Sequence, residues 1–186
     1  MKKSVVIDLE WTSWRGNYFG KNFLKEKRKK WQKKEIIQIG AIKFDSGFNI
    51  IEKFNVYVKP TINPKLSKYI IKLTKITNRK LKNKGINFRK AYLKFKNFTK
   101  DCKVICNGDD NKVLKENLKY NKMKEKMIRI KNIRKMLATK YKIPANYLHS
   151  PRIQSFFNYK KNTQNWHNAL KDCESILNAL RAIKYC

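Results

Sequence analysis

A small set of acidic side chains carries the chemistry that this sequence could perform. Asp8 and Glu10 lie two residues apart in the stretch SVVIDLEW, so on a β-strand both side chains would leave the same face. Two neighbouring carboxylates repel each other, and a buried strand tolerates them when a cation or several hydrogen-bond donors compensate. Oxygen ligands of this type bind hard divalent cations such as Mg²⁺. The structural alternative is a strand end at which both acids face solvent.

A second pair of acids follows another apolar run. Asp109 and Asp110 come directly after KVICNG, where the C-terminal edge of a sheet can deliver a carboxylate into a cleft. An aspartate at this place can also cap the helix that DDNKVLKENLKYN predicts. With two in succession, one can cap while the other faces a metal, and we predict that Asp110 is the metal ligand.

The stretch NWHNALKDC adds His167 and Asp172 near the end of the chain. Inside one α-helix, residues five apart are rotated by about 140° and separated by about 7.5 Å along the axis, so they would not converge. If both serve one centre, His167 must precede the helix or lie in a loosened first turn. A histidine that titrates near neutrality could then act as a general base. The other histidine, His149, lacks such neighbours, and the sequence assigns it no role.

The charge balance predicts a polyanionic partner. The chain has 46 Lys and Arg against 13 Asp and Glu, a formal net charge of +33. Such a surface attracts nucleic acid, because lysines that meet phosphates release the condensed counterions. The chain is also rich in Asn and Ile, and this composition can instead reflect an AT-rich coding sequence.

The apolar patterns predict one α/β domain over residues 1–186 with a mixed sheet. SVVIDLEW is typical of a buried strand, and EIIQIGAIKFD and FNIIEKFNVYVKP predict a hairpin joined by DSGF. A helix is expected from the spacing of Leu66, Ile70 and Leu73, another over residues 88–98, and a short strand at KVIC. KMIRIKNIRKML predicts a strand that runs into a helix, and a last helix carries Asp172. The basic stretch before EIIQIG is expected to form an exposed loop with a short helix.

Other features favour a soluble cytoplasmic protein that does not contact membranes. The apolar run at the N-terminus ends at Asp8, too early for a signal peptide. No stretch approaches the roughly 20 apolar residues that span a bilayer. The four cysteines lack the paired spacing of a zinc site, so we expect reduced thiols.

Five blocks together resemble the DEDDh exonucleases of the ribonuclease T and proofreading-exonuclease superfamily, most of all the Eri-type exoribonuclease branch. The blocks are VVIDLEWTSW, EIIQIGAIKF, VKPTINPKLSKYIIKLTKIT, GDDNKVLKEN and HNALKDCESI, in that order. The match departs at Cys106 and Asn107, where family members commonly carry a Trp-Gly pair, and this shift leaves Asp109 as the alternative to Asp110.

The resemblance implies a ribonuclease H-like fold and 3′-to-5′ hydrolysis of nucleic acid with two divalent cations, Mg²⁺ or Mn²⁺. Carried over by position, the metal ligands are Asp8, Glu10, Asp110 and Asp172, and His167 is the general base. The residues of KLTKIT alone predict only a helix end. The stretch also resembles the loop that touches the terminal nucleotide, which implies contacts from Leu73, Thr74 and Ile76. Trp11 and Trp14 follow Asp8 and Glu10 at the end of the first predicted strand. Their rings could stack on a terminal base or pack in the core.

We therefore expect an exonuclease that shortens single-stranded nucleic acid from its 3′ end, with RNA favoured over DNA, as a monomer or homodimer. One alternative is a DNA-trimming or proofreading exonuclease with the same metal centre, because contacts to the ribose 2′-hydroxyl cannot be identified from sequence. A second alternative is a basic nucleic-acid-binding protein without catalysis, which would bind tightly and in a salt-sensitive way without turnover.

Overall fold

The centre of the molecule is a mixed five-stranded sheet. A computed structural model describes residues 3–14, 31–157 and 167–185. The strands are β1 (Ser4–Trp11), β2 (Ile36–Phe44), β3 (Ile50–Tyr57), β4 (Lys103–Cys106) and β5 (Ile130–Asn132). Their order is β3-β2-β1-β4-β5, with the first three antiparallel and β1, β4 and β5 parallel. The predicted meander followed by parallel strands, and the ribonuclease H-like class, are therefore confirmed.

Six α-helices and one short 3₁₀ helix surround the sheet within the described ranges. They are α1 (Lys68–Thr74), α2 (Asn78–Lys84), α3 (Phe88–Phe98), α4 (Asp110–Tyr120), α5 (Arg134–Tyr141) and α6 (Ala169–Ala182), with the 3₁₀ helix Ile153–Phe157 before α6. None of these helices is long and apolar enough to cross a membrane.

Strand β1 divides the core because its side chains alternate between the two faces. Val5, Ile7 and Leu9 pack with the apolar faces of α3 and α4. Val6 points to the opposite face and packs with residues of α5 and α6. Asp8 and Glu10 have the same parity as Val6, so the alternation directs both carboxylates to the face that α6 covers.

The helix predicted around Ile70 is present as α1. It ends at Thr74, within the stretch KLTKIT, because Lys75 adopts a left-handed conformation with φ 59°. Thr77 then caps a second short helix, α2, by accepting a hydrogen bond from the Lys80 N–H. This second helix was not predicted, because Leu81 is its single buried residue and one apolar position gives no periodicity. The predicted basic loop falls mostly on residues 15–30, outside the described residues.

Candidate active site

The first two acids lie at the C-terminal end of the central strand. Asp8 is 7% exposed and Glu10 is 6% exposed. They pair across β1 and β2 with Gly40 and Gln38. In the parallel pairing of β1 with β4, Ile7 lies opposite Cys106, so the turn after β4 begins beside Asp8. This pairing brings the second acidic motif to the same edge of the sheet.

The structure separates the two neighbouring aspartates of that motif. Asp110 is 3% exposed, and its Oδ1 accepts a hydrogen bond from the Leu9 N–H at 3.0 Å. The side chain of Asp109 is 49% exposed and forms an ion pair with Lys112 at 3.0 Å. Asp110, the predicted ligand, therefore lies among the buried carboxylates, and Asp109 lies at the surface. Asp109 is also the residue before α4, but its side chain makes no capping hydrogen bond.

Helix α6 brings the third motif to the same place. Asp172 is 4% exposed in the first turn of α6, and His167 precedes the capping residue Asn168 with a left-handed φ of 63°. Because His167 lies outside the helix, its ring can turn toward Asp172. The potential ligand atoms of Glu10, His167 and Asp172 all lie within 4.8 Å of one another. The side chains of His167 and Asp172 therefore converge, and His167 precedes the helix, as the sequence predicted for such a convergence.

A close backbone contact positions α6. A Cβ atom built on Gly40 would lie 2.4 Å from the carbonyl carbon of Ala169, so only glycine allows the helix to approach β2 this closely. The buried side chain of Gln38 accepts a hydrogen bond from the Ala169 N–H at 3.2 Å. The Cys173 thiol donates to the Gly40 carbonyl at 3.3 Å. These contacts join the start of α6 to the strand opposite Asp8 and Glu10.

Burial and mutual repulsion make the carboxylates reluctant to ionise. Burial, followed by the charges of Asp110 and Asp172, raises the pKa of Asp8 well above its usual range. Burial and Asp172 have the same effect on the pKa of Glu10. Burial raises the pKa of Asp110 to about 6, and burial together with Asp110 raises the pKa of Asp172 to about 8. Among the described residues, no ion pair includes any of these four acids.

The site opens into a cleft of about 470 Å³ whose second wall was not recognised from the sequence. His149, Ser150, Arg134 and Arg152 line this wall. The Ser150 side chain is hydrogen-bonded to Asp8 and lowers its pKa. Burial, followed by the charge of His149, lowers the pKa of His167. No local pattern marks His149, because the connection that carries it has neither strand nor helix periodicity.

The turn that presents Asp110 is held by side chains from this wall and from β5. Arg134 donates to the carbonyl of Asn107, and the Asn132 amide donates to the carbonyl of Gly108 at 2.5 Å. The buried Asn107 side chain donates to the Leu148 carbonyl at 2.9 Å. Asn107 stands where the resemblance expected a glycine, and here its amide connects the turn to the chain segment before His149.

The residues predicted to bind nucleic acid divide into two groups. Trp11 and Trp14 are partly buried and line the cleft, and the Lys34 ammonium lies 5.6 Å from the Trp11 ring. Thr74 and Ile76 are buried, and Ile76 packs with Leu73 in a third core cluster beneath α1 and α2. None of Leu73, Thr74 and Ile76 belongs to the described lining of the cleft. Their contact with a nucleotide stays a prediction.

Known proteins with similar sequences and structures are nucleases. The family model described as "Exonuclease" (RNase_T) matches residues 5–180. The "Probable 3′-5′ exonuclease KapD" of Bacillus subtilis is 32% identical over 120 residues, which cover 63% of this chain and 53% of KapD. The match therefore spans about half the length of that curated relative.

Two solved structures show the same fold. The nuclease domain of 3′hExo, a DEDDh family member bound to rAMP, aligns with a TM-score of 0.79 and 20% identity over 98% of this chain and 91% of that one. E. coli exonuclease I in complex with a dA16 oligonucleotide aligns with a TM-score of 0.71 and 16% identity over 99% and 41% of the two chains. The family model covers nearly all of β1 to α6, including every acid of the cleft. The chain therefore belongs to the exonuclease family, as its resemblance to the DEDDh exonucleases implied.

Proposed function

We propose that the protein is a metal-dependent 3′-to-5′ exonuclease that acts on single-stranded nucleic acid and prefers RNA. One observation carries the proposal: four buried carboxylates and a histidine meet in one cleft, and none of the four acids has an ion-pair partner among the described residues. Such a group is unfavourable for folding alone, so a function that requires it is the simplest reason for its presence.

The donor set fits divalent cations. Asp8, Glu10, Asp110 and Asp172 supply oxygen atoms, which hard cations such as Mg²⁺ and Mn²⁺ prefer. Burial raises the pKa of each of these acids, and a bound cation would favour their ionised forms. When bound, a pair of such cations activates the attacking water and stabilises the departing oxygen in phosphodiester hydrolysis. These four side chains would hold them.

His167 is suited to take a proton from the attacking water. Burial and the charge of His149 lower its pKa, so at neutral pH the imidazole is in its neutral form and one ring nitrogen carries a free lone pair. Its place before α6 brings that nitrogen beside Glu10 and Asp172 while leaving the ring outside the rigid helix. His167 therefore acts as the general base, while Asp172 holds metal from the helix.

The surface around the cleft suits a single strand. Lys34 and the partly buried rings of Trp11 and Trp14 line the same cleft as the carboxylates. Bases stack on aromatic rings, and lysines bind phosphates. The preference for RNA is supported by the resemblance to the Eri-type branch and by the rAMP bound to the similarly folded 3′hExo domain. The complex of exonuclease I with dA16 supports DNA as the alternative substrate for the same metal centre.

The test uses single-stranded RNA and DNA of the same sequence, labelled at the 5′ end, with Mg²⁺, Mn²⁺ or EDTA. We expect a ladder that shortens from the 3′ end only when metal is present, and faster on RNA. Asp110→Asn should abolish the ladder, whereas Asp109→Asn makes the same change in an exposed neighbour and should leave it intact. Binding without a ladder under either metal would exclude catalysis and support the basic binding protein. A faster ladder on DNA would reverse the substrate preference.

A further inference from the structure

A fixed aromatic side chain stands outside the cleft, beyond the two predicted stacking residues. Trp31 is 52% exposed, so the core does not explain it. Its ring lies edge-on to Trp14, with 5.3 Å between the ring centroids and 86° between the planes. Trp14 lines the cleft, whereas Trp31 does not. The two indoles therefore form a path that begins at the carboxylates and continues outward.

Hydrogen bonds hold the chain segment of Trp31 from two sides. The Lys33 N–H donates to the carbonyl of Trp31 at 2.9 Å and lies 3.2 Å from Asn63 Oδ1, while the Asn63 amide donates to the Trp31 carbonyl at 3.0 Å. The Thr12 hydroxyl, directly after β1, donates to the Lys33 carbonyl at 2.6 Å. The backbone that carries the indole is thus tied to the strand that carries Asp8.

A buried carboxylate and a buried amide complete this support. Glu35 is 5% exposed and accepts hydrogen bonds from the backbone N–H groups of Thr61, Ile62 and Asn63 at 2.5–2.8 Å. From α4, the Asn117 side chain donates to the Lys34 carbonyl at 2.8 Å and accepts from the Ile36 N–H at 3.0 Å. A preorganised aromatic group costs little conformational entropy when a ligand binds.

Positive charge accompanies the indoles. The Lys34 ammonium lies over the Trp11 ring and faces the cleft. Lys33 lies on the same segment, with its ammonium 6.0 Å from the Tyr120 ring. A surface that combines exposed aromatic rings with lysines suits a nucleic acid strand, which combines bases with phosphates. Neither an apolar peptide nor a second copy of this chain, which also carries +33, would match this pattern.

We propose that Trp31 is a stacking position for a base upstream of the one that meets Trp14, and that Lys34, whose ammonium lies over the Trp11 ring, binds a phosphate of the same strand. This rests on the proposed function and deepens it: the preferred substrate is a single strand with several unpaired nucleotides at its 3′ end. Stacking does not distinguish the four bases, so the preference is for strand length and not for sequence.

The experiment measures binding and not turnover, with Asp8→Asn as the background to prevent hydrolysis. Fluorescence anisotropy would give the Kd of 5′-labelled RNA dinucleotide and octanucleotide. We expect Trp31→Ala to weaken octanucleotide binding by about 5- to 150-fold, the range for loss of one stacked base, and to leave the dinucleotide unchanged. Trp31→Phe keeps a ring and should retain most of the affinity. Phe156→Ala removes another exposed aromatic, 41% exposed and outside the cleft lining, and is the matched control.

Salt dependence separates stacking from charge. Trp31→Ala should leave the slope of log K against log salt unchanged, whereas Lys34→Ala should reduce its magnitude by about one phosphate contact. Equal losses for dinucleotide and octanucleotide, or no loss relative to Phe156→Ala, would overturn the role of Trp31 and leave the exonuclease proposal intact. If the background protein bound neither oligonucleotide, the proposed function itself would be wrong.

Discussion

Replacing Asp110 by Asn should stabilise the metal-free protein, which is the opposite of what most substitutions of buried residues do. Asp110 is 3% exposed, and its pKa is raised from 3.8 to about 6, first by burial. One pKa unit corresponds to about 1.4 kcal/mol, so ionised Asp110 lowers the free energy of unfolding by about 3 kcal/mol. Asparagine has nearly the same shape, and its Oδ1 can still accept the hydrogen bond from the Leu9 N–H.

The sign of the pH dependence follows from the direction of the shift. The folded-state pKa of Asp110 lies above its unfolded value, so the folded protein holds the proton more tightly. The contribution of protonated Asp110 to the free energy of unfolding is therefore fully present below about pH 4, the pKa of an aspartate in the unfolded chain. It is lost as the pH rises through about 6, the pKa in the folded protein. The difference between Asp110→Asn and the wild type should be absent near pH 4 and should reach its full size above about pH 6.

Urea unfolding at several pH values in EDTA would measure this difference in the free energy of unfolding. In thermal unfolding of a chain of 186 residues, a gain of about 3 kcal/mol corresponds to a Tm increase of about 6–12 °C. Asp109→Asn removes one carboxylate charge at the neighbouring position and breaks a surface ion pair with Lys112. It should therefore change the free energy of unfolding by less than about 1 kcal/mol. Mg²⁺ should then stabilise the wild type more than Asp110→Asn, because a ligand of the folded state shifts unfolding by mass action.

The reasoning is refuted if Asp110→Asn is no more stable than the wild type in EDTA at pH 8. That result would mean that burial of the Asp110 carboxylate does not disfavour its ionised form in the folded protein. A gain of the same size in Asp109→Asn would mean that the effect does not depend on burial of the carboxylate, since the side chain of Asp109 is 49% exposed.

Three further outcomes are expected. His167→Ala should reduce turnover by about 100- to 10,000-fold, the usual contribution of a general base. Mg²⁺ should still raise the Tm of this variant in thermal unfolding. Loss of that stabilisation would identify His167 as a metal ligand instead. Gly40→Ala should lower the free energy of unfolding by at least about 1–3 kcal/mol in urea and reduce turnover, because the added Cβ would overlap the backbone at the start of α6. Gly47→Ala in the exposed hairpin turn is the control, and equal effects of the two substitutions would contradict the close contact at Gly40. Glu35→Gln should lower the free energy of unfolding by about 1–3 kcal/mol through lost charge-assisted hydrogen bonds, and it should weaken octanucleotide binding. The exposed substitution Glu52→Gln should change the free energy of unfolding by less than about 1 kcal/mol. If Glu35→Gln changed neither stability nor binding, Glu35 would not support Trp31.

Local patterns were sufficient wherever one element determined the answer. The alternation in SVVIDLEW places Asp8 and Glu10 on one face, and the structure shows that face covered by α6. The impossibility of convergence within one helix predicted that His167 precedes α6, as it does. The end of α1 falls within KLTKIT, where a helix end was predicted, but the short helix α2 was not predicted, because Leu81 is its single buried residue and gives no apolar periodicity.

The choice between Asp109 and Asp110 required the tertiary structure. Both follow the same strand, and their types are identical; only the docking of the turn against β1 decides that Asp110 reaches the Leu9 N–H while Asp109 faces solvent. His149 was assigned no role, yet it lies in the cleft, because an irregular connection carries it there. Trp31 was one aromatic in a basic stretch until the pairing with Trp14 and the support from Glu35 became visible.

By itself, the sequence determined the strand that carries the first two acids, the mixed sheet and the family resemblance, since these depend on periodicity and on short motifs with fixed spacing. Only the tertiary structure decided which further side chains, such as His149, share the cleft with the predicted acids. The contact of Ala169 with Gln38 joins residues 131 positions apart, and nothing in either segment indicates the other. Such contacts depend on how helices and strands pack, and packing is a property of the whole chain.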